Sequence, residues 1–352
     1  MIVTKHAGII SVQEKSMELF AENFSQALQQ IEISRTDRVR RAHLEVRERI
    51  QESSQLKLWG VDPILIGSYA RNTSIYPGKD VDVFCRMTEI DVSMSPKEVY
   101  GTLLSHLVNK FGADRIEPQR RSVKVRFKFE KENDDFWIDA VPAVRYGVIW
   151  AIPTSRTDVW DDTASPKRWL ETDPERLSAL VSERNREPKV NAQGAFVPTV
   201  KLVKQIREHH LGDKGPGGLF FEIMTYWAFD RGVHAKSFAE ILVAVLRLIV
   251  SQLDELPSRP LVDPVLQRPF DPIPKVSEIL AAHKIMTDLA SEAHGALQLD
   301  RCPAAAVWRK IIGRNTRGWC FGLPDGCDEL GKSILPVVSV LSKGPKEAHG
   351  FG

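Results

Sequence analysis

Asp80 and Asp82 stand one residue apart in the run "DVDVF", twelve and fourteen positions after the serine of the Gly67-Ser68 pair. On a strand, residues i and i+2 point to the same face, with α-carbons roughly 7 Å apart. Two carboxylates so placed repel, and leaving them unneutralised in an apolar segment is costly. A hard divalent cation resolves the conflict, because carboxylate oxygens are its preferred ligands. Asp139, in "FWIDAVPAV", is a third acid in an apolar strand context, and three such acids can hold two magnesium ions. A site of this kind positions an attacking hydroxyl and stabilises a leaving pyrophosphate. Gly67 and Ser68 supply its complement: a strand-to-helix turn opening there aims backbone N–H groups and a hydroxyl at a triphosphate, with glycine permitting close approach. Taken singly, "GS" is a turn and "DVD" a solvated strand edge; with Asp139 they point to phosphoryl transfer.

Periodicity shows which elements must carry these residues. In residues 11–58, apolar positions such as Met17, Phe20, Phe24, Leu28 and Ile31 recur every three to four residues, which predicts helices with a break near "IEISRTD". "VDPILI" predicts a short strand ending at Gly67, and "DVDVFCRM" alternates as a second strand. "PKEVYGTLLSHLVNKFG" predicts a helix from Pro96, with Gly112 as its stop. "SVKVRFKFE" and "FWIDAVPAV" alternate on either side of "KENDD", a hairpin pattern. Past residue 150 a polar, proline-containing stretch gives way to helical patterns in "FVPTVKLVKQIREHH", "GGLFFEIMTYWAFDRG", "SFAEILVAVLRLIVSQL" and "KVSEILAAHKIMTDLASEAHGAL". "DELPSRPLVDPVLQRPFDPIPK" is a connector whose prolines forbid regular helix. The expected organisation is N-terminal helices packing across two lobes (1–58), a β-rich catalytic core (59–150), a helical lobe completing the cleft (151–343) and a mobile tail (344–352).

Bulk properties exclude several classes. The chain has 352 residues and is 43% hydrophobic, enough for two cores, and its net charge of +2 argues against strong nucleic-acid binding. Cys85, Cys302, Cys320 and Cys327 form no paired framework by spacing, which suits a reducing cytoplasm. Zinc bound by Cys302, Cys320 and Cys327 with a histidine stays open, although no C-x-x-C pair supports it. No segment has the length of a signal sequence or a membrane span.

"GSYARNTSIYPGKDVDVF" resembles the nucleotidyltransferase signature of the DNA polymerase β superfamily: Gly-Ser, a spacer, Asp-hydrophobic-Asp, and a later Asp on a neighbouring strand. Within it, "GSYARNT", "IDAVPAV" and the trailing helical segments look most like the bacterial cGAS/DncV-like nucleotidyltransferases, which make oligonucleotide signals in antiphage defence. The resemblance implies an α+β, two-lobed polymerase-β-like fold, a mixed sheet with flanking helices plus a C-terminal helical lobe. It implies ATP and other ribonucleoside triphosphates as substrates, magnesium as cofactor with manganese able to substitute, and a cyclic product that reaches a downstream effector by diffusion. Gly67, Ser68 and Arg71 match its phosphate-gripping segment, and Asp80, Asp82 and Asp139 its metal triad, with Asp139 also helping to deprotonate the acceptor hydroxyl. "TVKLVKQI" is similar to the family helix that presents basic residues to the triphosphate, which nominates Lys201 and Lys204; the alternative, a solvated stripe, stays open. "GGLFFEIM" matches a family segment written Ser-aromatic-x-Leu-Glu, with Gly218 in place of the serine. Related families are the tRNA CCA-adding enzymes, whose archaeal-type members carry a larger C-terminal module for gripping tRNA, and the linear 2′-5′-oligoadenylate synthases.

The remaining features are plainer. Trp308, in "AAAVWRKIIG", reads as a packing residue, and His209 and His210 as complements to a helix C-terminus. Arg120, Arg121, Lys124, Arg126 and Lys128 fit either a solvent face or the nucleotide cleft. The tail "LSKGPKEAHGFG" ends in glycine, the form accepted by ubiquitin-like ligases that some enzymes of the resembled family are encoded beside; coupling at Gly352 is the corresponding expectation. Base choice, ring size and linkage turn on a few pocket side chains.

Overall fold

The computed structural model describes residues 12–33, 37–78, 80–128, 135–162, 165–190, 192–234 and 236–334. Helices α1 (Val12–Ile31), α2 (Asp37–Gln51) and α3 (Ser54–Leu58) come first, followed by β1 (Val61–Ile66), the single turn α4 (Gly67–Ala70) and the long strand β2 (Asp80–Asp91). Helix α5 (Pro96–Phe111) opens on proline and stops before Gly112. Next come β3 (Ile116–Pro118), β4 (Val123–Phe127), β5 (Phe136–Tyr146), β6 (Ile149–Pro153) and β7 (Trp169–Thr172). The turn between β4 and β5 lies largely outside the described residues, but the two strands pair antiparallel as their alternation predicts.

These strands form one mixed sheet in the order β1-β2-β5-β4-β3, with β6 pairing both β5 and β7. β2 and β5 are its parallel pair. Alternation divides their side chains. Val81, Val83, Cys85 and Met87 of β2 and Ile138, Ala140 and Val144 of β5 are buried in a core shared with Val46, Leu56 and Leu103 from α2, α3 and α5. By the same period of two, Asp80, Asp82, Trp137 and Asp139 belong to the opposite face, where a smaller cluster of Phe84, Ala143 and Trp150 packs. One face of the sheet is therefore sealed by helices, and the acids stand on the other.

The second core is helical. It draws on α6 (Pro174–Arg184), α7 (Phe196–His210), α8 (Gly218–Asp230), α9 (Phe238–Glu255), α10 (Val276–Ala296) and α11 (Arg301–Ile312). Helix α1 joins it through Phe24, Ala27 and Ile31, whereas α2 packs on the sheet. The N-terminal helices thus divide between the cores. Trp308 is fully buried there, against Phe24.

Two expectations change. The boundary set at 150/151 falls inside β6, and the sheet runs on to Thr172, because β6 and β7 extend it beside the far end of β5. The cysteines are not all unpaired: Cys302 and Cys327 form a disulfide joining the start of α11 to the segment after it, while Cys85 and Cys320 are free and buried. That pairing consumes two of the three thiols considered for zinc, and no group of three His, Cys, Asp or Glu is gathered around a metal among the described residues. Among the described residues no helix is long and apolar enough to cross a membrane. The tail 344–352, with Gly352, lies outside them.

Candidate active site

The site is built where β1 turns into α4. Gly67 has a φ of 74°, and a β-carbon there would sit 1.8 Å from Asp82 Oδ2. Both the backbone conformation and the close approach of the carboxylate therefore demand glycine. Antiparallel pairing of Ile66 with Asp82 brings the turn to the acid. Beyond it the chain folds back, with the amides of Thr73 and Ser74 donating to the Ser68 carbonyl, and the Ser68 and Ser74 hydroxyls are hydrogen-bonded at 2.7 Å.

The parallel pair completes the acids. Asp82 lies opposite Asp139 in register, and Asp80 opposite Trp137. Burial, then the neighbouring Asp80 charge, pushes the Asp82 carboxyl up to about 6, with Arg71 pulling weakly the other way. Burial, then the charges of Asp82 and Asp80, pushes Asp139 up to about 7. Lys124, opposite Asp139 on β4, does not offset this. Asp139 Oδ1 is buried with no hydrogen-bond partner among the described residues. The three acids are not drawn into a closed ligand shell. Their chemistry nonetheless fits a divalent cation: all-oxygen donors, mutual repulsion and an orphaned buried oxygen.

The acids' face opens on a cavity of about 900 Å³ between the sheet and the helical core. Gly67, Ser68, Arg71, Asp80, Asp82, Lys204 and Gly218 line it, together with Arg121, Trp137, Arg207, Glu222, Arg268 and Phe270. Asp139 and Lys201 are not in that lining. Lys201 Nζ is instead held by Glu32 Oε2 at 2.5 Å and Asn72 Oδ1 at 3.4 Å. Its neighbour three residues on behaves differently. Lys204 Nζ donates to Glu222 Oε2 at 2.5 Å and to the Thr73 carbonyl at 3.1 Å, while Arg71 Nε donates to Glu222 Oε1 at 2.7 Å. Burial alone would raise the Glu222 carboxyl, but Lys204 and Arg71 hold it at about 2. Burial also draws the Lys204 ammonium below its ordinary value, against the attraction of Glu222. Two cations against one anion leave a net positive charge at this end of the cavity.

Glu222, a second anchor of the cavity, is not among the site residues expected from sequence; the available signals were the closing Glu of the Ser-aromatic-x-Leu-Glu pattern and an acid within the apolar run "GLFFEIM". Gly218 begins α8, and a β-carbon there would meet Lys204 Cε at an ordinary 3.6 Å, so a serine would fit sterically. The basic run divides: Arg121 reaches the cavity and pairs with Asp271, Lys124 lies over the Trp137 ring, and Arg126 pairs with Glu117.

Comparison with known proteins matches residues 17–185 to SMODS, the Second Messenger Oligonucleotide or Dinucleotide Synthetase domain. The chain is 26% identical over 289 residues, 77% of each protein, to a cyclic AMP-AMP-AMP synthase of Acinetobacter sp. (strain ATCC 27244 / 9458). Its fold is similar to that of E. coli MS115-1 CdnC solved with ATP, with a TM-score of 0.63, 18% identity, and coverage of 86% of this chain and 98% of that one. It is also similar to Vibrio cholerae DncV in its apo form, with a TM-score of 0.53, 14% identity and 86% of each chain covered.

Proposed function

We propose that this chain, which belongs to the bacterial cGAS/DncV-like nucleotidyltransferases, joins ribonucleoside triphosphates into a cyclic oligonucleotide second messenger for antiphage signalling of the CBASS type, with release of pyrophosphate. The observation that carries the reading is the placement of Asp82 opposite Asp139 and beside Asp80, with Gly67 packed on the Asp82 carboxylate at the mouth of a cleft.

Each residue has a part. Asp80, Asp82 and Asp139 would hold the divalent metal, magnesium with manganese able to substitute. When bound, that metal supplies charge neutralisation for the acids and the triphosphate. Gly67 lets a phosphate approach the backbone, and the Ser68 hydroxyl donates to it once released from Ser74. Arg71 and Lys204, fixed by Glu222, present positive charge to the triphosphate and to the departing pyrophosphate. Asp139, as the third acid, would also help to deprotonate the attacking hydroxyl.

The decisive test is incubation with labelled ATP, GTP, CTP and UTP plus magnesium or manganese, followed by phosphatase treatment and separation. Products resistant to phosphatase are expected. Labelled products that phosphatase removes entirely would exclude ring closure, and an absence of any product would overturn the reading.

A further inference from the structure

We propose that Trp137 is the platform on which the base of a bound nucleotide stacks, an inference that rests on the nucleotidyltransferase reading above. The aromatic side chains lining the cavity are Tyr76, Trp137 and Phe270. Two of them are engaged. The Arg317 guanidinium lies 3.5 Å from the centroid of the Tyr76 ring, and the Tyr76 hydroxyl accepts from Thr316 Oγ1 at 3.2 Å. Phe270 is 7% exposed and packs edge-on against Phe220. Trp137 is only half-buried. Its indole N–H has no hydrogen-bond partner among the described residues, whereas those of Trp150, Trp160, Trp169 and Trp227 all donate to carbonyl or carboxylate oxygens.

Its position is the second argument. Trp137 precedes Asp139 by two residues on β5 and pairs in register with Asp80, so the ring shares the acids' face of the sheet. A nucleotide whose phosphates reach the acids has its base within a nucleoside's length of that point, and Trp137 offers the nearest aromatic ring along the strand, with one π face taken by Lys124. β4 prepares the ring: Lys124 Nζ lies 4.4 Å from its centroid, with Glu117 3.9 Å from that ammonium. A cation over an indole holds the ring in place through attraction to its π face. Stacking on an aromatic is tolerant of base identity, because every base has a π face. Trp137 therefore serves affinity for each accepted triphosphate rather than choice among them.

The test compares wild type with Trp137→Leu and Trp137→Tyr by two readouts: KM and kcat for each accepted triphosphate, and calorimetric binding of a non-hydrolysable ATP analogue with magnesium. Trp137→Leu is expected to weaken analogue binding about tenfold and to raise KM by more than it lowers kcat, with Trp137→Tyr restoring most of the loss. Unchanged binding and KM in Trp137→Leu would overturn the proposal, as would a tyrosine variant no better than leucine. A wild-type chain that binds the analogue but makes no product counts against the function proposed above, while the binding series still decides Trp137. A wild-type chain that binds no nucleotide overturns both.

Discussion

Two sets of carboxylates stand on opposite sides of the cleft, Asp82 and Glu222 in its lining, and are opposite in electrostatic condition. On the sheet, burial and then the Asp80 charge push Asp82 up to about 6, and burial and then the charges of Asp82 and Asp80 push Asp139 up to about 7. Glu222, on the helical lobe, is more deeply buried, with 1% of its side chain exposed, yet is held at about 2. Burial works in the same direction at both places, so partner charge decides the outcome. Glu222 has Arg71 and Lys204 within hydrogen-bonding distance; the aspartates have chiefly each other. The aspartates suit an added divalent cation, whereas Glu222 has its cations in Arg71 and Lys204. A divalent ion completes the one, whereas the other is a finished structural clamp joining the loop after α4 to α7 and α8.

That contrast can be broken most sharply at the aspartates. Asp80→Asn with Asp82→Asn should reduce synthesis at least about a thousandfold, while the metal-free melting temperature stays level or rises, since two repelling charges are gone. A folded double mutant with near wild-type turnover would sink the mechanism. Glu222→Ala should behave in the reverse way, lowering stability by about 3–5 kcal/mol, because two buried cations lose their counter-charge. Urea unfolding measures this; a loss under about 1 kcal/mol, the scale of an exposed pair, would mean that the clamp is not a closed unit.

The two sets should also titrate in opposite senses. Groups whose carboxyl values are raised on folding favour the folded state at low pH, and that contribution is lost as pH climbs from about 4 to about 7. Glu222, held at about 2, contributes its stability above about 4.5 and loses it as pH falls below that. In EDTA, the stability advantage of Asp82→Asn over wild type should therefore grow between pH 4 and 7 and shrink when magnesium is added. An advantage independent of pH would contradict the assignment. The smallest effect is expected for Lys201→Ala, which should leave the rise in melting temperature caused by a non-hydrolysable triphosphate with magnesium in place, whereas Lys204→Ala blunts it. Equal blunting by both would return Lys201 to the phosphate site.

Much of this was readable along the chain because it is local. Period two puts Asp80 and Asp82 on one face of β2 whatever surrounds it, and the turn at Gly67 follows from the residues beside it. Helices such as α7 and α9 declare themselves by apolar spacing. The lysines mark where local reading stops. Lys201 and Lys204 are three residues apart on α7, close enough to share a face by spacing, but packing against α1 gives Lys201 to Glu32 and packing against α8 gives Lys204 to Glu222. Spacing does not report which neighbour a helix will meet.

The same boundary divides the residues of the candidate site. Sequence by itself determined the types of group present, the shared face of Asp80 and Asp82 and the glycine beside them, since each depends on backbone geometry over a few residues. Only tertiary structure decided that Asp139 lies opposite Asp82, that Glu222 pairs with Arg71 and Lys204, that Trp137 lines the cavity and that Cys302 meets Cys327. These pairings join segments far apart in the chain, and the packing of the sheet against its helices and of the helical lobe over the acids' face brings them together.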